Sequence, residues 1–186
     1  MPRSKGHNPY AAPTPPPGKG APGTARLVSG PISIGIDPGL GGALGFIAHD
    51  LPESPWVVDM PVIAHGQGFV KRAVNLVALA ESLRLLTVIG EPYATMEAVH
   101  AFPGQGLSSM FSLGMSLWGV AGVLAALGIP LRLVEPREWK RAYGLDKDKQ
   151  KSVELARKLF PAVALTRKKD HGRAEALLIA EYGRRK

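Results

Sequence analysis

The stretch PISIGIDPGLGGALGFIA, residues 31–48, constrains this chain more than any other. Ile32, Ile34 and Ile36 fall on one side of an alternating strand, and Ser33, Gly35 and Asp37 fall on the other. Pro38 and the glycines after it stop the strand and permit a tight reversal into a second apolar run, Ala43–Ala48. A β-hairpin is therefore expected to open the fold, with a carboxylate at the end of its first strand. Two readings of Asp37 stand at this point. It is either an ordinary turn-opening acid, or an acid kept at the end of a sheet because something binds it there.

Further along, a strand is expected near 55–60, and a helix over 70–87 with Val70, Val74, Val77, Leu79 and Leu83 on its apolar side. YATMEAV follows as a strand ending at a second acid, Glu97. The uncharged segment SSMFSLGMSLWGVAGVLAALG, residues 108–128, has the length of a membrane span. Ser108, Ser109, Ser112 and Ser116 interrupt it, no basic and aromatic anchors flank it, and Gly114, Gly119 and Gly122 suit close packing on a sheet. It is read as a buried core helix over 108–127, with Trp118 and Trp139 as packing residues. IPLRLVEP is the next strand, and helices near 136–143, 148–159 and 172–184 finish the chain. Three strands followed by alternating helix and strand predict an α/β domain with a mixed central sheet flanked by helices.

The 186 residues suit one domain with a sizeable core, expected over 30–186. Residues 1–29 hold seven prolines around PTPPPGKGAPG, four basic groups and no apolar periodicity, so a disordered basic arm is expected there, without the apolar core of a signal peptide. No cysteine is present, which excludes a disulfide framework and a thiolate metal site and suits the cytoplasm. Net charge is +8, and residues 132–186, with sixteen basic and eight acidic groups, carry an excess of that size by themselves. Such a concentrated basic region in a soluble domain points to a polyanionic partner, nucleic acid first.

The acids supply the chemistry. On the strand around Glu97, the residues Tyr93, Thr95 and Glu97 share one face. If the strands of Asp37 and Glu97 lie parallel and adjacent, both carboxylates reach the same end of the sheet, where they repel unless a cation sits between them. Mg2+ prefers such hard oxygen ligands and also binds phosphate. Two such ions, about 3.5–4 Å apart, are the apparatus of metal-assisted phosphodiester hydrolysis. Further acids come from RKKDHGRAEALLIAEYGRR, residues 167–185. His171 and Glu175, four apart, point the same way on a helix starting near 171. Asp170 is five residues before Glu175, about 140° away on an ideal helix, so it joins them only from the cap or the preceding loop.

Taken in order, IGIDPG, MEAV, FSLGMSLWGVAG, EPREWKRAYGLDKDKQKS and the helix with an acid before ALLIA resemble the RuvC-type Holliday junction resolvases of the RNase H-like superfamily. The resemblance runs from about residue 31 to 182. It implies an RNase H-like fold and a homodimeric, Mg2+-dependent endonuclease, with Mn2+ as a substitute ion, that makes paired nicks in four-way DNA junctions. It also implies that Asp37 and Glu97 are the first two metal-binding acids and Glu175 the last. Relatives often carry a further Asp three residues before the last acid, where this chain has Gly172. Asp170, preferred over His171, is expected to replace it. Arg137, Lys140, Arg141, Lys147, Lys149 and Lys151 are expected to hold the DNA backbone, and Phe102 to wedge into an opened junction.

Rival readings share some of these features. Actin-like kinases and ATPases also open on Ile-Gly-Ile-Asp, but need a second phosphate-binding half, and nothing in this chain repeats the hairpin. A broader branched-DNA nuclease uses the same chemistry, and a non-catalytic junction-binding protein would keep the fold without it.

Overall fold

The computed structural model describes residues 30–64, 71–100 and 104–186; the expected arm over 1–29, the wedge Phe102 and Val70 lie outside the described residues. In chain order the elements are β1 (Pro31–Asp37), β2 (Ala43–Ala48), β3 (Trp56–Asp59), β4 (Val62–Ala64), β5 (Arg72–Val74), α1 (Leu76–Ile89), β6 (Glu91–Glu97), α2 (Leu107–Ala126), β7 (Leu131–Val134), α3 (Pro136–Ala142), α4 (Lys149–Leu159) and α5 (His171–Arg184). Five strands form one mixed sheet in the order β3-β2-β1-β6-β7. The hairpin β1–β2 is antiparallel, whereas β1–β6 and β6–β7 are parallel. Strand β1 thus lies in the middle, as its apolar sequence requires.

The alternation of β1 sorts the two layers. Ile32, Ile34 and Ile36 are fully buried among Leu79 and Leu83 of α1 and Leu117, Val120 and Leu124 of α2. Fully burying each such side chain is worth about 1.5–3 kcal/mol. The opposite face, Ser33, Gly35 and Asp37, meets α5. A side chain at Gly35 would place its Cβ 2.0 Å from the Ala176 carbonyl oxygen, and one at Gly45 would stand 2.7 Å from the Leu177 nitrogen. Gly35 and Gly45 are partners across the hairpin, so the helix backbone rests on a two-glycine floor. The Ser33 hydroxyl donates to the Ala180 carbonyl at 2.7 Å and fixes how far along the strand the helix sits. Leu177, Leu178 and Ile179 complete this layer with Trp139 and Phe160.

Three expectations are corrected. The helix predicted over 70–87 begins only at Leu76, because the Asn75 side chain caps it by accepting from the Ala78 amide. Residues 72–74 instead pair with Val62–Ala64 as a small separate sheet, and Val77 is exposed. Second, the uncharged helix α2 is only partly covered: Ser116, Leu117, Val120 and Leu124 face the core, whereas Phe111 and Trp118 are 62% and 69% exposed. Trp139 is buried as expected, but among the described residues Trp118 belongs to neither core cluster. Third, among the described residues, of the three α2 glycines only Gly119 meets a neighbour, Leu76 of α1 rather than the sheet.

Candidate active site

Asp37 ends β1 and Glu97 ends β6. Their strands are parallel, with Ile36 opposite Met96, so the two carboxylates emerge side by side from the same sheet end. The turn after Asp37 is shaped around its carboxylate: the Gly39 amide donates to Oδ1 at 3.2 Å, and a side chain at Gly42 would stand 2.2 Å from the Asp37 carbonyl oxygen. The glycine floor under α5 brings a third acid to this point. Glu175, in the second turn of α5, is only 6% exposed, and its Oε1 accepts from Lys140 Nζ at 2.9 Å and from the Ser152 hydroxyl at 3.4 Å.

The electrostatics are those of an under-compensated anionic cluster. Burial pushes the Asp37 carboxyl up from the ordinary aspartate value, and Glu175 adds to this against the Gly39 amide, Lys149 and His171. Burial, then the charges of Glu175 and Asp37, push Glu97 up to about 7, against Lys140 and Lys149. Three mutually repelling carboxylates in a partly buried site offer the hard oxygen donors that a divalent cation such as Mg2+ takes. Among the described residues no three acidic or imidazole side chains already converge on one point, and the Lys140 ammonium neutralises Glu175.

The two candidates for the remaining ligand part company. Asp170, 1% exposed at the N-cap of α5, has Oδ2 bonded by the Arg167 amide and Oδ1 by Arg167 Nε, both at 2.7 Å. Arg167 also reaches both oxygens of Asp59 on β3, at 2.9 and 2.8 Å, and Arg173 joins them. Through Arg167, Asp170 ties the loop before α5 to the sheet edge. His171 is the one of the two that acts on Asp37. The absence of an acid at 172 also has a reason. A Cβ there would lie 2.7 Å from the Gly41 carbonyl oxygen and 3.2 Å from Asp37 Oδ2, so Gly172 lets the start of α5 press against the Asp37 turn.

The basic residues divide likewise. Arg137, Arg141, Lys147 and Lys149 are exposed. Lys151 bonds to Asp146, while Lys140 lies over the Trp139 ring, turned to Glu175. Sequence spacing placed Lys140 and Lys149 only on a DNA-facing surface. Their second role beside the acids, and the hydroxyl of Ser152, depended on how α3 and α4 pack on α5.

No family model matches the sequence. Among curated proteins, a chloroplastic Holliday junction resolvase of Chlamydomonas reinhardtii is 38% identical over 97 residues, covering 48% of this chain. The match spans 11% of that relative's own length. Among solved structures, RuvC of Thermus thermophilus in complex with a Holliday junction substrate superposes with a TM-score of 0.54 at 19% identity, over 83% of this chain and 95% of that one. The chain has the RuvC fold. The mixed sheet opening with a hairpin and flanked by helices is the RNase H-like arrangement expected from the sequence. A second Thermus thermophilus RuvC structure aligns over 83% of this chain and 96% of its own, at 20% identity and a TM-score of 0.49.

Proposed function

We propose that the chain is a Holliday junction resolvase, a divalent-metal-dependent endodeoxyribonuclease that makes paired nicks in four-way DNA junctions. The observation that supports this reading is the emergence of Asp37 and Glu97 from the same end of two parallel strands, with Glu175 of α5 close enough to raise both their carboxyls, within a RuvC fold. The curated relative bears the name of the same activity. Because Gly172 is accounted for by packing, its lack of a carboxylate gives no support to a decayed site.

In this reading Asp37, Glu97 and Glu175 hold Mg2+, with the His171 imidazole as the further group at the site. Two divalent ions bound there would supply the positive charge that activates a water and stabilises the leaving oxygen in phosphodiester hydrolysis. The chain's own residues do the rest. Gly39 and Gly42 keep the Asp37 carboxylate aimed out of the sheet end, Lys149 adds positive charge beside the acids, and exposed Arg137, Arg141 and Lys147 face the polyanion. Their phosphate contacts make binding fall with salt.

A second copy of the chain fits the uncovered side of α2, where Leu107, Phe111, Met115 and Trp118 repeat at helical spacing without a charge. A two-fold dimer would present one acid cluster to each of two opposed strands of a junction. The relative's chloroplastic name extends the cytoplasmic expectation to any compartment that holds DNA.

The test is cleavage of a synthetic mobile four-way junction in Mg2+ by the full chain and by Asp37→Asn, with linear duplex as competitor. Paired, ligatable nicks absent from the variant support the proposal; tight binding without cutting in Mg2+ or Mn2+ makes the protein a junction-binding one. Sedimentation of Phe111→Glu/Trp118→Glu as a monomer beside a dimeric wild type supports the two-fold assembly, and a monomeric wild type removes it.

A further inference from the structure

The acid cluster occupies the α5 side of the sheet end. Across the turn that follows Asp37, on the other side, a cleft of about 490 Å3 opens between β5 and α2. Lys71 and Arg72 line one wall, Ser108, Ser112 and Ser116 line the other, and Leu40, from the Asp37 turn itself, lines it as well. The volume falls in the ordinary range of ligand sites. Not one acid lines it.

Three features of the chain converge here without any role in the chemistry described above. Residues 27–131 contain only three basic side chains, Lys71, Arg72 and Arg84, against seven acids, yet two of the three stand together in this cleft. Both are exposed, and among the described residues neither is held in an ion pair with a carboxylate. Serines 108, 112 and 116 recur every four residues along one stripe of a helix that carries no charge. Ser116 is buried at its inner end with its hydroxyl donating to the Ser112 carbonyl, so Ser108 and Ser112 are the ones turned to the cleft. The small β4–β5 sheet, which the sequence reading missed, is what carries Arg72 to α2.

Resting on the nuclease reading, we propose that this cleft is a second nucleic-acid site, which grips the sugar–phosphate backbone of DNA on the far side of the Asp37 turn from the basic α3–α4 region. Lysine, arginine and serine side chains are the groups that contact phosphate and sugar rather than base edges, so the site contributes hold and register, not sequence preference. A strand crossing the acid cluster is then held on both sides of the bond to be cut.

The test measures binding of the full chain to a synthetic four-way junction and to a linear duplex by fluorescence anisotropy, in EDTA, over a salt series. Lys71→Ala/Arg72→Ala is expected to lower the slope of log affinity against log salt by about 1 to 2, because up to two phosphate contacts are lost. Ser108→Ala/Ser112→Ala is expected to weaken binding several-fold at an unchanged slope. The charge-keeping Lys71→Arg/Arg72→Lys is expected to restore the slope. Arg84→Ala/Lys158→Ala removes the same charge elsewhere and is expected to leave the slope in place. Wild-type affinity and slope in Lys71→Ala/Arg72→Ala overturn the cleft proposal, and so does an equal loss in Arg84→Ala/Lys158→Ala. In either case junction cutting by the wild type leaves the nuclease reading standing. A wild type that neither binds nor cuts DNA overturns both.

Discussion

Lys140 of α3 donates to Glu175 of α5 across 2.9 Å, and both groups are largely withdrawn from solvent. Sequence spacing assigned the lysine to DNA and the glutamate to metal, yet in the folded chain they meet each other. The pair joins an acid of the cluster to a basic helix, and with the Ser152 hydroxyl of α4 on the same Glu175 oxygen it couples the two halves of the site.

Removing the ammonium leaves Glu175 facing Asp37 and Glu97 without that neutralising charge. Lys140→Ala is therefore expected to lower the stability of the metal-free protein by about 1–3 kcal/mol, the cost of stranding one member of a largely buried pair. Mg2+ is expected to recover most of this. Thermal melts in EDTA and in Mg2+ check it; equal losses in both would mean that Lys140 acts only through its packing on Trp139.

The raised value of Glu97, about 7 against an ordinary 4.5, sets a pH dependence. Between those values the folded protein keeps a proton that the unfolded chain has lost, so stability falls as pH rises through the window. The loss due to this group is on the order of 3 kcal/mol in the metal-free protein. Glu97→Gln is expected to flatten that part of the profile and to be more stable than wild type at pH 8 in EDTA. Mg2+ affinity runs the other way and rises over the same window, because the ion takes the carboxylate. Melts from pH 4.5 to 8 and calorimetric titration with Mg2+ read the two trends.

Asp170 and His171 are neighbours with different surroundings. Asp170→Asn is expected to cost about 1–3 kcal/mol, because a buried acceptor of two Arg167 donors loses its charge. It is expected to leave Mg2+ affinity near wild type. His171→Ala is expected to spare stability and to weaken Mg2+ binding and cleavage. Melting curves and Mg2+ titrations on both variants separate the roles; an exchange of the two outcomes would make Asp170 the ligand.

Gly172→Asp restores the acid common in relatives of the resembled family and is nonetheless expected to be harmful. Its Cβ would press on the Gly41 carbonyl and on the Asp37 carboxylate, forcing the turn or α5 to move at a cost of about 1–3 kcal/mol. A lower melting temperature and slower junction cutting are expected, and a faster enzyme of unchanged stability would refute the packing argument.

The opening hairpin, the strand of Glu97 and the final helix were all legible in the residues, since alternation and turn chemistry are local and nothing in the fold opposes them. That the Glu97 strand runs parallel to β1 was settled by the structure. Asp37, Glu97 and Glu175 could be picked out because an acid among apolar residues is costly without a partner. Two α5-facing glycines, Gly35 and Gly45, were visible as residues, but the helix lying on them was not.

Tertiary structure decided what local pattern leaves open. The apolar spacing through Val74 and Val77 suits a helix, but the Asn75 cap and the pairing of Arg72–Val74 with Val62–Ala64 turned the first part into strand. An uncharged α2 looks the same whether it is buried on all sides or on one, and only the packing showed that Phe111 and Trp118 face outward. In one dimension Asp170 has a slightly stronger claim than His171. Arg167, drawn in by Asp59 from the far edge of the sheet, claimed the first and left the second beside Asp37. Sequence by itself determined which groups the chain possesses and on which face of each element they lie. Which charges neutralise one another was settled by contacts across the fold, 35 positions apart for Lys140 and Glu175 and 108 for Asp59 and Arg167, and those exist only once α5 has closed on the sheet.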